Sequence, residues 1–147
     1  MADVIVDQIA PENVSLVVQL YNQVFRPPRA GEELERRYQG RHNVLQLVAQ
    51  MGGKPVGFAI GFELKPRVFF LWFMGVLTAN RRQGVASQLS EALESWCREN
   101  DYDSIRCECF NPQRPMMYYL LHAGYDVIGL RWDADHGDNL LLWQKTL

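Results

Sequence analysis

Arg81-Arg82-Gln83-Gly84-Val85-Ala86 is the segment of this 147-residue chain best equipped for chemistry. It stands between an apolar run, Val68 to Leu77, and an amphipathic run that begins at Val85. That order predicts a strand, a tight turn and a helix, with Gly84 at the tightest point of the turn. Backbone N–H groups converge where such a helix begins, the helix dipole favours an anion there, and the arginines add positive charge. A pyrophosphate fits this arrangement, so a phosphate-bearing cofactor is the first functional expectation. Arginine at a helix N-terminus opposes the dipole unless an anion is near, which favours a ligand over a merely solvated turn. No Gly-Lys-[Ser/Thr] follows the glycine, so the segment is not the phosphate loop of a nucleoside-triphosphate enzyme.

Other residues with chemical potential are dispersed. Glu108 and Arg106 lie two apart on a predicted strand and share a face, so a general base and a plain ion pair are both open readings. Met116-Met117-Tyr118-Tyr119 combines pliable side chains with hydroxyls; it reads as core that can also shape a binding pocket. Phe69, Phe70, Trp72 and Phe73 crowd one strand and must occupy both its faces, one of which could contribute to an apolar pocket. Glu63, His42, Asp133, Asp135 and His136 are further candidates to line a pocket, although isolated polar residues are ordinarily solvated. Trp132 and the acidic loop Asp133 to Asp138 could attract a cationic amine. Cys107 and Cys109 share a strand face but lack the His or Cys neighbours a metal needs, so no metal is expected. The cysteines number three, an odd count that suits buried thiols in a cytoplasmic protein better than a disulfide framework.

The whole chain fits one domain, residues 1–147, with a sizeable core. A net charge of -2 argues against general nucleic-acid binding. Positive charge is local instead, at Arg36/Arg37/Arg41 and at Arg81/Arg82. No apolar run approaches the roughly 20 residues that cross a bilayer, and the first residues lack the layout of a secretory signal.

The elements that must position these residues follow from periodicity. Val4-Ile5-Val6 reads as a strand. Pro11 suits the first turn of a helix whose stripe is Val14, Val17, Val18, Tyr21, Val24 and Phe25, ended by Pro27-Pro28. A shorter helix is expected from Gly31 to Tyr38, acids first and bases last. Strands at 44–50 and 55–64 flank a turn at Gly52-Gly53, and a second turn leads into strand 68–77. A helix to about Asn100 carries one stripe of Val85, Leu89, Ala92, Leu93 and Trp96. Strand 104–110, a compact helix from Pro115 to Gly124, and strands 125–130 and 140–146 complete the chain. The expected fold is a mixed, mostly antiparallel sheet of about seven strands with helices on both faces.

This pattern resembles the GNAT superfamily of N-acetyltransferases over nearly the whole chain. Arg81, Gly84 and Ala86 match the family's [Gln/Arg]-x-x-Gly-x-[Gly/Ala] turn, after a strand ending Met74-Gly75-Val76. Asn111 after the next strand, and a short helix closing on Gly124-Tyr125, match the family's Asn…Gly-Phe ending. The resemblance implies acetyl-coenzyme A (acetyl-CoA) as acyl donor and an amine of a small molecule or peptide as acceptor. It implies that the backbone from Arg82 through Gln83, Gly84, Val85 and Ala86 to Ser87 holds the pyrophosphate. It also implies that strands ending at Val76 and Phe110 splay to admit the pantetheine arm. A backbone N–H of Met74 or Val76 would face the acetyl oxygen, with Gly75 marking a bulge, and Asn111 would reach the arm or stabilise the strand end. The amine would attack the thioester directly, an N–H would stabilise the oxyanion, a base would take a proton and an acid would supply one to the thiolate. The family's usual tyrosine position is Leu120 counted back from Gly124, and Tyr118 counted from Asn111; Tyr118 and Tyr119 are the candidate acids and Glu108 the candidate base. A non-catalytic acyl-CoA sensor is the rival implied by the leucine, and C-terminal strands could pair two subunits in a homodimer.

Overall fold

The protein is described here by a computed structural model of residues 3–147. Its framework is one seven-stranded sheet in the order β1-β2-β3-β4-β5-β7-β6. The strands are β1 (Val4–Ile9), β2 (Leu45–Met51), β3 (Lys54–Lys65), β4 (Val68–Val76), β5 (Ser104–Phe110), β6 (Asp126–Asp133) and β7 (Asp138–Thr146). Every neighbouring pair is antiparallel except β4 and β5, which run parallel. Parallel neighbours need a crossover, and α3 (Val85–Glu99) supplies it.

The other helices are α1 (Ser15–Val24), α2 (Gly31–Tyr38) and α4 (Arg114–His122). The predicted mixed sheet with helices on both faces is the observed one. On one face Val85, Leu89, Leu93 and Cys97 of α3 and Leu120 of α4 join a core with Phe69, Leu71 and Trp143. On the other, Val17, Leu20 and Tyr21 of α1 and Leu34 and Tyr38 of α2 pack on Phe58, Ile60 and Phe62. Strand alternation sorts the residues: Ile105, Cys107 and Cys109 enter the α3/α4 core, so Arg106 and Glu108 face the α1/α2 side.

Several boundaries differ from expectation, with β1 extending to Ile9 and β7 beginning at Asp138, and two of the differences have a visible cause. Pro11 lies in a turn ahead of α1, which begins at Ser15. Buried Gln46 accounts for this: its amide donates to the carbonyls of Ala10 (2.9 Å) and Asn13 (3.0 Å), holding that segment in a loop. Its oxygen accepts from the Tyr38 hydroxyl at 2.9 Å, which ties down the end of α2. β6 continues to Asp133 instead of ending at Leu130. There the Asp133 carboxylate accepts backbone N–H bonds from Asp135 (3.0 Å) and His136 (3.1 Å), closing the hairpin turn itself.

The expected bulge exists at another residue. In the β3–β4 pairing Ile60 opposes Phe73 and Gly61 opposes Leu71, so Trp72 is the extra residue. Trp72 and Phe73 consequently both pack on the α1/α2 side. Gly75 pairs regularly with Phe58. Its missing side chain makes room: a Cβ there would come within 2.9 Å of Phe58, 3.0 Å of Val24 and 3.2 Å of Phe25. Gly75 is thus where the end of α1 lies against β4.

Candidate active site

β4 ends in a single 3-10 turn, Thr78–Asn80, and the chain then bends into α3. Arg82 adopts φ 62° and Gly84 φ 83°, both left-handed. Gly84 is the N-cap, so an αL residue is followed at once by the right-handed helix, a geometry in which successive N–H groups point into one concavity. The first intrahelical bond runs from Gln88 N–H to the Gly84 carbonyl, at 3.0 Å. Among the described residues no side chain caps the N-terminus, and no acidic residue stands in the first turn. The N–H groups of Val85, Ala86 and Ser87 therefore lack intrahelical acceptors and keep the partial positive charge of a helix start. Arg81 Nε reaches back to the Val76 carbonyl at 3.3 Å, fixing one guanidinium beside the end of β4.

Strands β4 and β5 are paired only from Val68–Ser104 to Leu71–Cys107. Beyond that point both continue, β4 to Val76 and β5 to Phe110, without pairing to each other. They diverge because each is held on its far side, β4 by β3 and β5 by β7 up to the Phe110–Leu140 pair. Leu77 N–H bonds the Val56 carbonyl, at 2.8 Å. By the alternation of an antiparallel strand, Val76 and Met74 turn their N–H and C=O groups away from β3, into the gap. The Val76 carbonyl met by Arg81 lies on that side.

A cavity of about 640 Å³ occupies the gap. Met74, Gly75 and Val76 form one wall, and Arg81, Arg82, Gly84, Val85, Ala86 and Ser87 form its floor at the start of α3. Tyr118 and Tyr119 of α4 close it from one side of the sheet, and Val24 at the end of α1 with Phe25 just after it from the other. The cavity therefore passes through the sheet. Gln83 and Asn111 are not among its lining residues. Asn111 is exposed, and its N–H bonds the Asn139 carbonyl at 3.0 Å, tying the end of β5 to β7. Val24, Phe25 and Asn80 line the cavity without having been singled out in the sequence. Val24 and Phe25 read there only as a core stripe; the glycine they cover, Gly75, is the one local sign of a close approach.

The tyrosines have different settings. Tyr118 is exposed at 70% and lines the cavity. Tyr119 donates its hydroxyl to Ser90 Oγ at 2.8 Å, and Ser90 donates onward to Glu94 at 3.1 Å. Burial pushes the Tyr119 hydroxyl up to about 12, so at neutral pH it is a fixed neutral donor. Leu120 is fully buried in the core, so the residue at that position does not look into the gap.

Glu108 is the first β5 residue past the last β4–β5 pair, exposed on the α1/α2 side. It does not line the main cavity. Its expected partner is taken elsewhere, since Arg106 Nε donates to Gln144 at 2.9 Å. Glu63 accepts from the Tyr102 hydroxyl at 2.9 Å, and Asp133, Asp135 and His136 build the β6–β7 turn. Neither group is part of the cavity. Cys97, Cys107 and Cys109 are buried and unpaired, and burial raises each thiol above its ordinary range. Among the described residues no helix is long and apolar enough to cross a membrane.

Known structures share this framework. The chain is similar to the IAA acetyltransferase from Bacillus cereus, with TM-score 0.81 and 14% identity over 99% of this chain and 100% of that one. It is similar to the ribosomal-protein-S18-alanine N-acetyltransferase from Escherichia coli, with TM-score 0.82 and 14% identity over 98% and 94%. A GNAT family acetyltransferase from Elizabethkingia anophelis, determined with acetyl-CoA bound, matches with TM-score 0.79 and 12% identity over 98% of each chain. At such identities the likeness is one of fold. No curated protein sequence matches the chain. The sequence profile of the acetyltransferase (GNAT) family does match, over residues 14–125, a span that runs from α1 to the end of α4 and takes in the turn, the splayed strands and the cavity. The chain belongs to the GNAT acetyltransferase family.

Proposed function

We propose that the protein is an acetyl-CoA-dependent N-acetyltransferase that acts on a primary amine of a small molecule or peptide by direct transfer within a ternary complex. The observation that carries this is the parting of β4 from β5 after Leu71–Cys107, with a cavity through the sheet that ends on an uncapped helix start. Acetyl-CoA suits these residues. The N–H groups from Gly84 to Ser87, with Arg81 and Arg82, offer an anion seat, and the outward N–H groups of Met74 and Val76 and the Met74 carbonyl offer the hydrogen bonds of an added strand.

The donor, when bound, supplies an activated acetyl carbon. The chain's own residues do the rest. The gap holds the two reactants together and excludes water, which accounts for much of the rate. The N–H of Met74 or Val76, which line the cavity, would supply a hydrogen bond to the acetyl oxygen and stabilise charge that develops on it. Tyr118, the cavity tyrosine whose hydroxyl has no hydrogen-bond partner among the described residues, would donate a proton to the departing sulfur. Glu108 takes the amine proton through water from the α1/α2 side. General acid or base help of this kind is worth roughly 10²–10⁴-fold.

Release of free coenzyme A in the presence of an amine panel tests the proposal. Saturable, amine-dependent release is expected. Absence of acetyl-CoA binding at micromolar concentration would refute it, and binding without turnover on any amine would leave a binding module.

A further inference from the structure

The basic cluster near α2 plays no part in the site so far described. Arg29, Arg37 and Arg41 converge on one aromatic ledge. Arg29 lies 5.2 Å from the Phe73 ring and 5.6 Å from the Trp72 ring, Arg37 lies 5.5 Å from Trp72, and Arg41 lies 4.6 Å from Phe62. The bulge at Trp72 builds this ledge, because it turns Trp72 and Phe73 to the same face. The ledge also leads to the cavity: Phe73 packs 4.8 Å from Trp72 and 5.6 Å from Phe25, and Phe25 lines the cavity wall. The cations thus lie on the α1/α2 side of the sheet, joined to the cavity wall through Phe73 and Phe25.

Their charge is poorly balanced. Arg29 has Glu33 at 3.6 Å, whereas among the described residues no acid lies within ion-pair distance of Arg37 or Arg41. Burial, then the proximity of Arg41 and of Arg29, hold the Arg37 guanidinium below its ordinary range, with Glu108 partly opposing them. Arg29 is already engaged, its Nε donating to the Tyr21 hydroxyl at 3.0 Å, whereas among the described residues the Arg37 and Arg41 guanidinium groups have no hydrogen-bond acceptor in the protein. Like charges gathered in this way are unfavourable unless an anion joins them, and guanidinium edges suit carboxylate and phosphate.

We propose that the acceptor is an amine bearing an anionic group, carboxylate or phosphate, which Arg37 and Arg41 seat on the Trp72 ledge while the amine enters the gap. This rests on the acetyltransferase proposed above. It assigns Arg37 and Arg41 to acceptor specificity and Arg29 to supporting the ledge.

The test compares ω-amino acids of increasing length with their carboxamides, and O-phosphoethanolamine with ethanolamine. The wild type should prefer the anionic member in kcat/KM by about tenfold or more, as charged hydrogen bonds provide. The preferred pair tells carboxylate from phosphate. In Arg37→Gln/Arg41→Gln the preference should collapse toward unity, and Arg37→Lys/Arg41→Lys should restore part of it. Circular dichroism verifies that each variant is folded. Equal use of charged and neutral members by the wild type, or a preference unchanged in the glutamine variant, would overturn the proposal. If no amine is turned over, calorimetry with glutarate and with inorganic phosphate decides: saturable binding lost in the glutamine variant upholds the anion seat, and no binding of either probe refutes it. Separate calorimetry with acetyl-CoA shows which of the two proposals has failed.

Discussion

At the scale of single residues, the site depends on backbone conformation more than on side-chain chemistry. A Cβ on Gly84 would meet nothing within 4 Å, yet φ 83° is strained for any side chain. Gly84→Val is expected to cost about 1–2 kcal/mol of stability from the left-handed backbone, and to weaken acetyl-CoA binding at least about tenfold by obstructing the N–H cradle. Denaturation and calorimetry on the same variant separate the two effects. The adjacent tyrosines should behave oppositely. Tyr118→Phe is expected to lower kcat by about 10²-fold with little change in stability. Tyr119→Phe is expected to lose about 1 kcal/mol of stability by stranding Ser90, with a small effect on turnover. Sequence alone left these hydroxyls equivalent, because one residue of helix register decides which meets Ser90 and which meets the cavity. The thiols should be inert: Cys97, pushed up to about 12 by burial, and its companions should react with Ellman's reagent at pH 8 only after unfolding.

At the scale of elements, contact between α1 and β4 shapes the wall of the gap. A Cβ on Gly75 would press on Phe58, Val24 and Phe25, and the last two line the cavity. Gly75→Ala is expected to cost about 1–3 kcal/mol as an overpacked contact, and to raise KM for acetyl-CoA; thermal melts and steady-state kinetics measure both. The outer end of the β4–β5 pair is tied by Arg67, which bonds Asp103 from Nε at 2.5 Å and from its terminal nitrogen at 2.7 Å. The Asp103 carboxyl is held below its ordinary range by that guanidinium. A depressed folded pKa stabilises above the unfolded value of about 3.9 and stops doing so as pH falls through the folded value. Stability of Asp103→Asn should therefore fall slightly below wild type at neutral pH and converge with it in strong acid. Both residues are solvent-exposed, so the difference is small.

At the scale of the molecule, one parallel pair in an otherwise antiparallel sheet creates the opening. The crossover through α3 makes β4 and β5 neighbours, and their outer partners draw them apart. Much of this was legible in the sequence. The apolar run before Gly84 and the stripe after it specify strand, turn and helix by periodicity, and hairpin signals at Gly52-Gly53 and Pro66 specify the antiparallel half. What was not legible depended on contacts between distant segments. The bulge falls at Trp72, fixed by how β3 pairs with β4, whereas Gly75 invited that role by its type alone. Phe25 became cavity wall only through the placement of α1 on Gly75, and Asn111 proved to be tied to β7. The basic cluster was visible as Arg36, Arg37 and Arg41, but its convergence with Arg29 required the folded ledge.

In the proposed enzyme the start of α3 and the outward edge of β4 together hold the acyl donor. Titration of isotope-labelled protein with acetyl-CoA, followed at backbone amides by NMR, tests it most directly. Saturable shifts concentrated at Gly84, Val85, Ala86 and Ser87, and at Met74 and Val76, are the predicted result. Saturation with those amides unmoved, or no saturation at all, would contradict it.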